Sequence, residues 1–236
     1  MIRALLLDLD GTLLENPMQT FLPAYFRLLG ESLAPLIPPD RLTRALVDAT
    51  NEVMAHPDPV RTNMERFWDA FQRITGYERD AVKPLADRFY VDRFPELAAY
   101  TARKPEAEPL VRLAFERGLE VVIATNPLFP RLAVEHRLAW AGVPVDRFPY
   151  ALVTTYENMH ACKPHLAYFE EILATIRCAP EEALMVGDEL ELDMTARQLG
   201  IHTFLVNEGE ETVSSPLVER QGSLRDLLEW LGDGLS

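Results

Sequence analysis

This chain has little of the cysteine, histidine or basic charge that would let those groups dominate its chemistry. Its 236 residues include two cysteines, Cys162 and Cys178, which excludes a disulfide framework and a cysteine-rich zinc site. The five histidines are scattered without paired metal-ligand spacing and read as structural or surface residues. A formal net charge of −14 excludes nucleic-acid binding through a broad basic face, because phosphate backbones are held mainly by Lys and Arg. A small anionic substrate is still admitted, since one lysine and one bound cation reverse a local field. No segment approaches the roughly 20 apolar residues that cross a membrane. The opening MIRALLLDLD sets Arg3 before an apolar run, but Asp8 ends that run short of the ~7 to 15 residues of a signal-peptide core. The expectation is a soluble cytoplasmic protein with no nucleic-acid or membrane partner. Internal repeats and low-complexity segments are lacking too.

What is present is an alternation of strand and helix. Apolar runs predict strands over 4–9, 120–124, 150–154, 183–186 and 202–206. Helical patterns such as PRLAVEHRLAWAG and PHLAYFEEILATI separate the later ones. Strand and helix in turn imply a parallel sheet covered on both faces, an α/β core of Rossmann-like type. The first two strands stand far apart, and the interval between them has helical spacing. Leu42, Ala45, Leu46, Ala49 and Val53 form one stripe. Met64, Phe67, Trp68, Phe71 and Ile74 form a second, and Val82, Leu85, Ala86 and Phe89 a third. The aromatic stripe of Phe67, Trp68 and Phe71 is expected to pack a small bundle rather than line a ligand pocket. Residues 16–102 are therefore expected to be a helical insertion in a core formed by 1–15 and 103–236. SLRDLLEWL reads as a final helix closing that core.

The chemistry sits where the apolar runs end. The first run closes on two acids one residue apart, Asp8 and Asp10, followed by Gly11 and Thr12. Paired carboxylates at a buried strand end demand compensating charge, and a metal ion supplies it. In open parallel sheets this is also where ligands bind. LEVVIATN ends in Thr125 and Asn126. Lys163 precedes Pro164, which is well placed to open a helix, and ALMVGDELELD carries Asp188 and Asp193. Hydroxyl, ammonium and carboxylate groups together suit a metal-assisted phosphate site.

On the DLDGT and GDxxxxD motifs, with Thr125 and Lys163 between them in order, the chain resembles the haloacid dehalogenase superfamily, and within it the magnesium-dependent phosphatases. The resemblance spans Asp8 to Asp193. It implies a helical cap inserted after the first strand, with hinges near 15–17 and 101–105. It also implies Asp8 as the nucleophile that forms an aspartyl-phosphate, and Asp10 as general acid and then base. Mg2+ would be held by Asp8, the main-chain carbonyl of Asp10 and Asp188. Thr125, Asn126 and Lys163 would hold the phosphoryl group, with Asp193 behind them orienting Lys163 or a metal-bound water. The implied activity is hydrolysis of a small phosphorylated metabolite.

A dehalogenase of the same fold lacks a carboxylate at the position of Asp10, which favours phosphoryl transfer. A phosphomutase remains open, differing in whether water or a second hydroxyl receives the phosphoryl group. A phosphoacceptor switch or a binding module that has lost its chemistry ranks below an enzyme. In the insertion, the turn 56–63 is a candidate for substrate recognition, through Arg61 and Asn63.

Overall fold

A computed structural model of the chain describes residues 1–209 and 212–233. The expected core span runs to 236, so 210, 211 and 234–236 lie outside the described residues. In chain order the elements are β1 (Ala4–Leu7), β2 (Leu14–Glu15), α1 (Met18–Leu33), α2 (Pro39–Ala55), α3 (Asn63–Thr75) and α4 (Arg79–Asp92). Next come β3 (Ala102–Arg103), α5 (Ala107–Glu116), β4 (Glu120–Ile123), α6 (Arg131–Trp140) and β5 (Leu152–Val153). The chain continues through α7 (Leu166–Ile176), β6 (Ala183–Gly187), β7 (His202–Val206), β8 (Arg220–Gly222) and α8 (Leu224–Gly232).

The sheet order is β5-β4-β1-β6-β7-β8, with every pairing parallel. β1 lies at its centre because all four of its residues are apolar and both of its faces are covered. Leu5 and Leu7 pack with Leu110 of α5, Leu138 of α6 and Leu227 of α8. Ala4 and Leu6 point the other way, onto Tyr168 and Ile172 of α7, as the two-residue period of a strand requires. Each such leucine contributes ~2 kcal/mol on burial. The register pairs Leu7 with Ile123 on one side and with Val186 on the other. The carboxyl ends of β1, β4 and β6 therefore lie side by side where the strand order reverses, the position at which such sheets bind ligands.

β2 and β3 pair antiparallel, Leu14 opposite Arg103 and Glu15 opposite Ala102, so the chain leaves the sheet and returns to it beside itself. Between them α1 to α4 build their own core around Phe21, Leu28, Leu42, Trp68, Phe71 and Phe89. α3 starts at Thr62, whose hydroxyl accepts from the Glu65 amide while the Glu65 carboxylate accepts from the Thr62 amide. That reciprocal cap fixes where the helix begins.

Some boundaries differ from the sequence-based expectation. The strand expected over 4–9 ends at Leu7, because the polar turn takes over at Asp8. The strand expected over 150–154 shrinks to two residues. β8, Arg-Gln-Gly, carries no apolar pattern and forms by edge pairing with β7. Pro164 does not open α7. The Lys163–Pro164 peptide is cis, and the helix begins at Leu166, after an extended His165. Among the described residues no helix is long and apolar enough to cross a membrane.

Candidate active site

The Asp8 amide donates to the Val186 carbonyl at 2.9 Å, and the Ala124 amide donates to the Leu7 carbonyl at 2.7 Å. These bonds carry the sheet register one step past β1 and leave Asp8 at its mouth. The chain then turns sharply at Gly11, whose φ is +84°. A Cβ there would collide with the Asp188 carboxylate, so glycine is required both for the turn and for the close approach. Gly187 acts similarly: a side chain on it would occupy the place of the Asp193 carboxylate. The two small residues let three acids converge.

Asp8, Asp188 and Asp193 each offer an oxygen, and those oxygens all lie within 4.8 Å of one another. Lys163 is buried among them, its Nζ donating to Asp8 Oδ1 at 2.8 Å and to Asp193 Oδ1 at 2.5 Å. Asp193 also accepts from the Glu189 amide at 3.0 Å through its other oxygen. Thr12 donates its hydroxyl to Asp188 at 3.2 Å. Burial pushes Asp8 well above the usual carboxylate range; Lys163 opposes the shift, and Asp193 and Asp188 add to it. Burial, then Asp193, raise Asp188 to about 6. Burial alone would lower Lys163, but Asp193 and Asp8 lift it above its ordinary value, so the ammonium stays charged. Three carboxylates face one cation here. The imbalance and the all-oxygen donor set fit a hard divalent cation such as Mg2+.

Asp10 stands apart from that cluster. Its carboxylate accepts from Asn16 Nδ2 at 2.7 Å and forms an ion pair with Arg137 Nη1. Arg137 lies on α6, only 2% exposed, with its guanidinium 4.7 Å from the Phe129 ring centroid. Sequence reasoning missed Arg137 and the pairing of the hinge residue Asn16 with Asp10. The signal was an arginine sharing the buried face of α6 with Ala133, Val134 and Leu138, where a cation needs a partner.

Thr125 and Asn126 follow β4, beside Asp8 in the sheet. The Thr125 carbonyl accepts from the hydroxyls of Thr154 at 2.6 Å and Tyr168 at 3.0 Å. Asn126 Oδ1 accepts from the Lys163 amide at 3.2 Å, tying the two loops together.

The turn 56–63 is arranged otherwise than expected. Asn63 is buried, and its Nδ2 donates to the carbonyls of Pro127 at 3.3 Å and Ala161 at 3.2 Å. The Asn63 amide donates to the Met159 carbonyl, and the Asp58 amide to the His160 carbonyl. Arg61 forms ion pairs with Asp58 and Asp69 at the surface. The turn is a clamp onto the loop that carries Lys163, with Asn63 taken up inside it and Arg61 at the surface. The aromatic stripe packs the helical core as expected, with Trp68 and Phe71 buried there, but against expectation Phe67, Trp68 and Phe71 also line a cavity.

Comparison with known proteins agrees with this geometry. The model of the family described as haloacid dehalogenase-like hydrolase matches residues 2–200. Phosphoserine phosphatase of Thermus thermophilus is 35% identical over 165 residues, covering 68% of this chain and 61% of that protein. Ribulose-1,5-bisphosphate 5-phosphatase of Halopiger xanaduensis is 32% identical over 123 residues, covering 51% of this chain and 49% of that one. The chain thus spans about half of the length of the curated relatives it matches. Among solved structures, 2-haloacid dehalogenase from Pseudomonas syringae superposes with a TM-score of 0.65 at 20% identity, covering 99% of each chain. At that identity the likeness concerns the fold.

Proposed function

The chain belongs to the haloacid dehalogenase-like hydrolases, and from that premise we propose that it is a magnesium-dependent phosphatase acting on a small phosphorylated metabolite through an aspartyl-phosphate. The observation that carries this reading is the convergence of Asp8, Asp188 and Asp193, of which Asp8 and Asp193 share the buried ammonium of Lys163. Two curated relatives bear phosphatase names, which supports ester hydrolysis without specifying the ester. Residues 16–102 act as a cap, and 1–15 with 103–236 as the core. The free, buried thiols of Cys162 and Cys178 suit a reducing cytoplasm.

Asp8, Asp188 and the main-chain carbonyl of Asp10 would hold the cation, which supplies Lewis-acid charge that offsets repulsion between carboxylate and phosphate. Asp8 is the nucleophile: its oxygen bonds to phosphorus as the ester P–O bond breaks. Asp10 gives the leaving alkoxide a proton, then takes one from the water that attacks the phosphorylated Asp8. Phosphate leaves and Asp8 is regenerated. The Thr125 hydroxyl, the Asn126 amide and the Lys163 ammonium hold the transferring oxygens. Asp193 positions Lys163 through their 2.5 Å contact. Arg137 and Asn16 fix the direction of the Asp10 carboxylate.

The test is phosphate release from a panel of esters. Chelation should abolish turnover and magnesium should restore it, and full activity of rigorously metal-free protein overturns the assignment. An ester isomerised without free phosphate would instead make the enzyme a phosphomutase.

A further inference from the structure

Apart from the carboxylates, the helices enclose a cavity of about 290 Å³. Its walls come from α1, α2, α3 and α4 and from the segment 128–130, with Tyr156 alongside. They are predominantly apolar: Leu29, Leu42, Leu46, Phe67 and Trp68 are representative. The Tyr25 and Tyr90 hydroxyls are engaged with each other at 2.9 Å. No cation lines the cavity among the described residues, and its one acidic side chain is Asp87.

The cavity adjoins the proposed phosphate cradle. Leu128 follows Asn126 by two residues and lines both the cavity and a closed crevice that it forms with Asn63 and Pro127. Phe129 forms part of the wall while its ring lies under the Arg137 guanidinium, which also pairs with Asp10. Phe129 therefore touches both this apolar space and, through Arg137, the group assigned to protonate the leaving alkoxide. An empty apolar cavity destabilises a fold in proportion to its volume, and small-molecule sites begin at roughly this size, about 300 Å³.

We infer that this cavity receives the organic part of the substrate, so that the preferred phosphate monoesters are those of an aryl or short alkyl alcohol. The inference rests on the phosphatase reading and adds the substrate class to it. The walls also disfavour a bisphosphate or a polyhydroxylated sugar in this space. A second phosphate would find no cation there, and the several hydroxyls of a polyol would meet few partners beyond Thr50 and Asn51 for the water they lose.

The test compares methyl, propyl, hexyl and phenyl phosphate as substrates of the magnesium-loaded enzyme. Each methylene that enters the cavity should raise kcat/KM about fourfold. Ala86→Phe, which fills the cavity from α4, should collapse the hexyl-to-methyl ratio towards one. Val47→Phe, at the partly exposed mouth, does the same with less demand on folding. Calorimetric binding of methylphosphonate and hexylphosphonate separates the two assignments. Equal kcat/KM across the esters overturns the cavity assignment and leaves the phosphatase standing. Tighter binding of hexylphosphonate with no ester hydrolysed overturns both the phosphatase and the identity of the occupant as a substrate group. A hexyl preference that persists in both filled variants places the apolar subsite elsewhere and overturns the inference.

Discussion

The carboxylate corner and the helical region are deficient in opposite ways. At the ends of β1 and β6 charge is unbalanced, with Asp8, Asp188 and Asp193 close together and one ammonium shared by Asp8 and Asp193. Among α1 to α4, several surface charges are paired, as in Lys83 with Asp87 and Arg93 with Glu31, while the interior keeps unfilled volume. A fold tolerates such deficits where a ligand makes them good, and the kind of deficit indicates the kind of ligand. Excess carboxylate calls for a cation and a phosphate. Empty apolar volume calls for an apolar group.

The largest expected effect lies on the charged side. Asp10→Asn keeps the shape of the side chain and removes its proton transfer, so turnover of an alkyl phosphate should fall ~10² to 10⁴-fold. An aryl phosphate whose leaving group needs no proton should lose much less in the phosphorylation step. Equal losses on both substrates, measured by single-turnover kinetics, would remove Asp10 from the acid role. Arg137→Met should follow in size, lowering stability by about 2 kcal/mol, because it leaves the half-buried Asp10 carboxylate without its cation. Denaturant titration of Arg137→Met, Asp10→Asn and the double variant measures this. The double variant should be more stable than the sum of the single changes implies, and strict additivity would show that the pair does not act as a unit.

The corner was legible in the sequence because its demands are local. A strand that ends in Asp-Leu-Asp-Gly, and another that ends in Gly-Asp, announce unusual charge at sites that sheet topology brings together. The roles of Lys163 and Asp193 follow from the family resemblance rather than from these local signals. Arg137 could not be placed, since its meaning depends on how α6 packs over Asp10, a relation between residues 127 positions apart. The helical region shows the same limit. The stripes on α2, α3 and α4 predict helices, but a cavity is a property of how stripes fail to interlock, and no single stripe contains it. Phe67, Trp68 and Phe71 pack the bundle as expected and also wall the cavity. Asn63 read as an exposed recognition group because its neighbours are polar, and its true partners are carbonyls of the distant 127 and 161 positions.

A smaller effect sharpens the electrostatic half of the comparison. Asp188 is raised to about 6 in the metal-free fold, against an ordinary value of 3.8. The folded protein therefore retains a proton there that the unfolded chain has already released. That contribution to stability is present below about pH 4 and is lost as pH rises through about 6. Magnesium held at the proposed site would reverse the penalty by binding the ionised form. Melting temperatures of chelated protein, taken with and without added magnesium, should show a larger metal-induced rise at pH 7 than at pH 5. A rise independent of pH would mean that the cation does not use Asp188.

The smallest expected effect belongs to the helical side, and it separates the clamp from a recognition role. Arg61 reaches Asp58 and Asp69 with half of its side chain exposed, and solvent-exposed pairs contribute ~0 to 1 kcal/mol. The turn does not depend on it, because Asp58 Oδ1 accepts from the amides of Val60 at 2.9 Å and Arg61 at 3.1 Å, bonds that a truncated side chain leaves intact. Those bonds, with the Arg61 guanidinium, hold Asp58 down at about 2, so the turn keeps its acceptor throughout the pH range of an assay. Arg61→Ala should therefore leave kcat/KM on every ester within a factor of about two and stability within ~0.5 kcal/mol. Asn63→Ala removes a buried donor shared between two carbonyls, so it should cost about 1 to 3 kcal/mol and loosen the loop that carries Lys163. If Arg61→Ala lowered kcat/KM selectively for one ester, the turn would regain a part in recognition. The apolar cavity would then no longer be the sole source of specificity in the helical region.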